Sequence, residues 1–137
     1  MIRCMRMWTG SDGHSAFEEG EILIGQGVHG RASGLPIEVR ELSFRETGTE
    51  LDTSWHRDPV PQYVLTLTGT VEFAVTSGAT FIIRPGDVLL VQDNSGSGHS
   101  VRLIGDEPWR RAYVVYAPSA NLRFRTLSDR QQHDDPS

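Results

Sequence analysis

Short runs of Val, Ile, Thr, Tyr and Phe, broken every few residues by Gly, Pro, Asp or Ser, fill this sequence from end to end, and no window carries apolar residues at helical spacing. A chain written this way buries side chains on alternate positions of many short strands. It therefore reads as all-β, with candidate strands at 21–24, 38–44, 63–67, 70–75, 80–83, 88–91, 100–104 and 111–116, and a last one at 121–125. The joints are sharper than the strands. Thr68-Gly69 and Ser77-Gly78 can make tight hairpins, and Arg84-Pro85-Gly86-Asp87 fits a type II turn, with proline presetting φ and glycine accepting positive φ. Read together, the three turns predict one antiparallel meander. Ser15-x-x-Glu18 has the form of a capping box for a short helical turn.

At 137 residues the chain has the length of one domain, with no internal repeat or linker. The expected core spans about 36–118, preceded by an N-terminal arm at 1–35 and followed by a polar tail at 126–137. A single cysteine, Cys4, rules out an intramolecular disulfide framework, and it is expected in the arm with no chemistry assigned. The opening residues lack the long apolar segment of a signal peptide or anchor, which makes the cytoplasm the expected address and a membrane an unexpected partner. Net charge is −5 with both signs interspersed, so nucleic acid is not an expected partner. All thirteen basic side chains are arginine, which removes lysine Schiff-base and lysine general-base chemistry. Nothing calls for a nucleotide or a flavin.

The densest polar constellation is WHRDPVPQYVLTLTG, residues 55–69. On extended backbone His56 and Asp58 lean to one face, with Gln62 close behind, and VLLVQDNSGSGHS brings His99 out of a Gly/Ser loop. Two imidazoles, a carboxylate and an amide oxygen form a plausible set for iron, nickel, copper or zinc. The structural alternative, histidines at strand ends that only make hydrogen bonds, is the commoner fate of such residues. Trp55 reads as a hydrophobic wall or a plug. Tyr113 and Tyr116 point to opposite faces of their strand, so one of them can present a proton-donating hydroxyl to a pocket. Arg57 and Arg102 are candidates for an anionic substrate, with exposed salt bridges as the alternative. His14, His29 and His133 read as solvent histidines.

These residues also resemble the cupin superfamily. His56-Arg57-Asp58, three residues, Gln62, six residues and Gly69 are similar to the tail of its first motif, and Pro85-Gly86-Asp87 followed by His99 to its second. Phrases shared with small bacterial single-domain cupins are Trp55 to Pro59, Pro85 to Leu90 and Asp93 to His99. The resemblance implies a double-stranded β-helix, or jelly-roll barrel, holding a divalent metal (iron, nickel, manganese or zinc) through His56, Gln62 and His99, with Asp58 as a further ligand. Asp58 stands where the family has a second histidine, and Gln62 where it has a glutamate. The implied function is that of a small-molecule enzyme: isomerase, cyclase, lyase or dioxygenase chemistry on a carbonyl- or enol-bearing substrate. The roles are Tyr113 and Tyr116 for catalysis, and Trp55, Asp58 and Arg102 for substrate binding. The alternative is a metal-free cupin that binds or senses a small ligand. A homodimer is the expected assembly.

Overall fold

The computed structural model describes residues 1–25, 33–49 and 60–127. Ten strands carry them: β1 (Ile2–Thr9), β2 (Ser15–Ile22), β3 (Val39–Thr47), β4 (Gln62–Thr68), β5 (Thr70–Val75), β6 (Thr80–Ile83), β7 (Val88–Gln92), β8 (His99–Ile104), β9 (Trp109–Tyr116) and β10 (Phe124–Thr126). They form a seven-stranded sheet in the order β10-β2-β1-β7-β4-β9-β3 and a three-stranded sheet in the order β6-β5-β8. The fold is all-β, two sheets arranged as a sandwich or barrel.

Two of the three turns form where the local chemistry puts them, at Ser77-Gly78 and at Arg84–Asp87; Thr68-Gly69 makes no hairpin, because β4 and β5 pair with other strands. Asp87 N–H donates to Arg84 O at 3.0 Å, closing the turn across Pro85-Gly86, and Gly86 takes φ +92°. Gly69 (φ +85°) is required twice over, because a Cβ there would stand 2.6 Å from Pro108 O and 2.8 Å from Trp109 Cα.

The turns do not, however, produce one meander. Of these three joints Ser77-Gly78 alone closes a simple hairpin, between β5 and β6; Gly69 and Gly86 sit where the chain crosses between sheets, so β4 pairs with β7 in the large sheet while β5 pairs with β6 in the small one. The result is one long bent hairpin, β4–β5 against β6–β7. It is flanked by β8 on β5 and β9 on β4.

The N-terminus also differs from the expected arm. β1 lies inside the large sheet, antiparallel to β2 and parallel to β7, and Cys4 is fully buried rather than in a loose terminus. Burial pushes the Cys4 thiol up to about 12, a neutral and inert group at ordinary pH. Ser15 to Glu18, the candidate capping box, is instead the start of β2. The C-terminal strand forms at 124–126, shorter and later than expected.

Alternation along each strand assigns two faces. Met5, Met7, Val64, Leu89, Val91, Trp109 and Tyr113 of the large sheet meet Val71, Phe73, Phe81, Ile83 and Val101 of the small one in the main core. Full burial of side chains such as Leu89 or Ile83 contributes about 1.5–3 kcal/mol each. Cys4, Tyr63, Val88 and Leu90 point the other way, into a second cluster on the outside of the large sheet.

Candidate functional site

β7 ends at Gln92, and the alternation runs one residue further: Leu89, Val91 and then Asp93 face inward. Asp93 is fully buried, His99 is 1% exposed, and the His99 ring Nδ1 stands 2.7 Å from Asp93 Oδ2. The same oxygen accepts the hydroxyl of Ser15 at 2.7 Å, and Oδ1 has no hydrogen-bond partner among the described residues. An ionised carboxylate only accepts, so Nδ1 carries the hydrogen in this pair and the ring's reactive chemistry falls to Nε2. His99 pairs with Val75, and its ring lies 5.6 Å from that of Phe73, at the edge of the apolar core. Gln62, buried, stands opposite Val91 on the same inner face.

A second polar group lines that face further along β9. Trp109, Arg111 and Tyr113 alternate inward, and all three are buried. Arg111 lies over the Trp109 ring at 3.8 Å. Its Nε donates to the Tyr113 hydroxyl at 3.1 Å, and its Nη1 donates to Thr47 Oγ1 and Trp109 O, each at 3.0 Å. Trp109 Nε1 in turn donates to Thr66 Oγ1 at 3.1 Å. Arg45, exposed on β3, lies over the Tyr113 ring at 4.6 Å.

The sequence-derived candidates distribute unevenly. Trp55, His56, Arg57 and Asp58, like His29 and His133, lie outside the described residues. His99, Gln62 and Tyr113 face the space between the sheets. Tyr116 points away from it: its hydroxyl accepts from Gln92 Nε2 at 3.2 Å, its ring meets Tyr63 edge-on, and it lines a separate hollow of about 470 Å³ with Arg40, Pro61 and Leu122. The odd spacing of 113 and 116 is the reason, and Tyr116 is thereby removed from the catalytic pair. Arg102 is likewise on the outside, because it is an odd number of residues from His99; it pairs with Glu72 at 2.8 Å, which holds the guanidinium pKa above its usual value. It is an exposed salt bridge rather than a substrate ligand of the interior. His14, exposed, lies 3.0 Å from the Ser97 hydroxyl through Nδ1.

Asp93, Arg111 and Arg45 were not among the sequence candidates. Asp93 was visible only as part of the Gly/Ser loop before His99, where an aspartate reads as a turn residue. Arg111 could have been found from its i, i+2 relation to Tyr113. A further hollow of about 660 Å³, lined by Asp12, His14, Ser15, Phe17, Val75 and Ser77, opens at the His99 end, with Ser15 linking its wall to Asp93.

Among the described residues no group of three or more His, Cys, Asp and Glu side chains converges as a metal set, and no helix is long and apolar enough to cross a membrane. No protein-family model matches the chain, and no curated protein matches it.

Proposed function

We propose that this chain is a small jelly-roll protein of the cupin type that binds one small organic molecule between its sheets and transforms it with His99 as the central group. The observation that carries the reading is the Asp93–His99 pair: a buried imidazole held at Nδ1 by a buried carboxylate, on the face where Gln62 and Tyr113 also point. A solvent histidine needs no such backing. Histidines that ligate metals or move protons are held this way, because the carboxylate fixes tautomer and ring orientation.

A divalent metal is compatible with this donor set. His99 Nε2 and the Gln62 carbonyl oxygen would hold it from the described part of the chain, and His56 and Asp58 are the proposed remaining ligands. Bound there, it would supply Lewis-acid polarisation of a carbonyl or enolate. The chain's own contributions are separate. Asp93 orients His99, and the apolar wall of Phe73 and Val101 excludes water. Tyr113 accepts from Arg111 through its oxygen, which leaves the hydroxyl hydrogen to be donated to a substrate oxygen.

Elemental analysis of protein purified without a histidine tag or chelator tests the metal. Near-stoichiometric iron, nickel, manganese or zinc that is lost in His99→Gln is expected. Metal that stays low after anaerobic reconstitution overturns the metal enzyme and leaves a metal-free ligand-binding barrel.

A further inference from the structure

Three registered rows cross β3, β9 and β4 on the inner face: Thr47 beside Trp109, Arg45 beside Arg111 and Thr66, and Ser43 beside Tyr113 and Val64. They hold two guanidiniums and several hydroxyls, and no carboxylate. The nearby acid, Glu46, faces the outside, where it pairs with Arg110 at 3.0 Å. Along β3, Glu41 is the first acid on the inner face, opposite Val115 and beyond the row of Tyr113.

Arg111 is only 5% exposed, yet every one of its hydrogen-bond partners among the described residues is neutral: the Tyr113 hydroxyl, the Thr47 hydroxyl and the Trp109 carbonyl. The Trp109 ring beneath it offers a π face, which is also neutral. Its Nη2 makes no hydrogen bond among the described residues. A guanidinium taken out of water without a countercharge is held at a cost, which an anion arriving at Nη2 would relieve. The surrounding donors are also ready. Tyr113 and Thr47 accept from Arg111, so each retains a hydroxyl hydrogen to donate, and Arg45 adds a second positive charge over the Tyr113 ring.

We propose that Arg111, with Arg45 and the Tyr113 hydroxyl, forms a binding site for a small organic carboxylate. A planar carboxylate matches one N–H edge plus one hydroxyl, whereas a phosphate dianion asks for more donors than Nη2 and two hydroxyls provide. The Tyr113 ring beneath Arg45 gives the site an aromatic edge, which favours a flat apolar body attached to the carboxylate. The proposal deepens the reading of the barrel as a small-molecule site and rests on that reading, but it does not depend on the metal.

The test is thermal shift and calorimetry on the full chain at constant ionic strength, with benzoate and acetate set against benzamide and acetamide, and with inorganic phosphate as a third arm. Saturable stabilisation by benzoate and none by benzamide is expected, with at least a tenfold loss of affinity in Arg111→Met. Because Arg111 is buried, that variant can fail to fold. Exposed Arg45→Gln then carries the test, weakening benzoate several-fold while leaving the melting temperature without ligand close to that of the parent. Equal shifts from acid and amide, wild-type affinity in these variants, stabilisation by phosphate alone, or no shift up to roughly 50 mM benzoate would each overturn the carboxylate site. A protein that holds no metal and still binds benzoate through Arg111 fails the metal reading alone.

Discussion

Asp93 Oδ2 takes two hydrogen bonds at once, from His99 Nδ1 and from Ser15 Oγ, each at 2.7 Å, and so ties β2, the end of β7 and the start of β8 at one point inside the protein. Removing one partner from such a buried set leaves the others without compensation. Asp93→Asn is expected to destabilise the fold by about 1–3 kcal/mol and Ser15→Ala by about 1 kcal/mol in urea unfolding. In a double-mutant cycle, Asp93→Asn with His99→Gln should couple by more than about 1 kcal/mol. Additive losses would mean that the pair is a geometric coincidence.

Stability should also fall in alkali, and the sign follows from two groups. Burial pushes the Cys4 thiol from 9.0 up to about 12, and it likewise raises the Tyr63 hydroxyl, which donates to Leu122 O at 2.7 Å. Both are acids held neutral by the fold, so the native state keeps its protons where the unfolded chain releases them. The stabilisation is whole below pH 9 and is lost above it, at up to about 1.4 kcal/mol per pH unit for each group. Urea midpoints from pH 7 to 11 measure this. Cys4→Ala should flatten the part of the slope that begins near pH 9, and an unchanged slope would exclude the thiol as its source.

Two turn glycines make a controlled comparison. Gly69 and Gly78 both take positive φ, +85° and +92°, but a Cβ at Gly69 would collide with the backbone of Pro108 and Trp109, while one at Gly78 would meet nothing within 4 Å. Gly78→Ala should cost about 1 kcal/mol from conformation alone, and Gly69→Ala at least about 2 kcal/mol more. Similar midpoints for the two variants would show that the crossing beside Trp109 has room to spare.

Much of this was legible in the sequence where the determinant is local. The Arg84–Asp87 turn follows from a proline and a glycine, and β5 and β6 from uninterrupted alternation. The partner of each strand was not legible, because pairing β4 with β7 instead of β5 is decided by which apolar faces meet across the core. β1 was hidden by Arg3 and Arg6, charges that interrupt its apolar residues and pair with Glu19, Asp87 and Glu18 on flanking segments. At the site His99 stood out and Asp93 did not. Arg111 was masked by Arg110, since two adjacent arginines read as surface charge until alternation sends one in and the other out to Glu46.

The outside of the large sheet carries an apolar face that a second copy can cover. Leu42 and Phe44 on β3 are 59% and 67% exposed, beside an apolar hollow of about 270 Å³ lined by Ile2, Ile37, Val39, Leu65, Val88 and Val114. Self-association through this face is expected, with light scattering after size exclusion giving twice the chain mass. Leu42→Glu with Phe44→Glu should halve that mass without altering the circular dichroism. A wild-type chain that elutes as a monomer at high concentration rules the interface out.

The parallel ladder between β1 and β7 also sets an order of events in folding. Cys4 lies beside Val88 and Trp8 beside Gln92, so β1 can close a hairpin with β2 as soon as both have been made but gains its other neighbour only when the distant β7 has followed. Contacts this distant in sequence carry a large loop-closure entropy and slow the search. Cys4, whose thiol is sealed only once that ladder closes, is therefore placed to time the last step: pulse labelling during refolding should find it reactive after β5 and β6 have already paired.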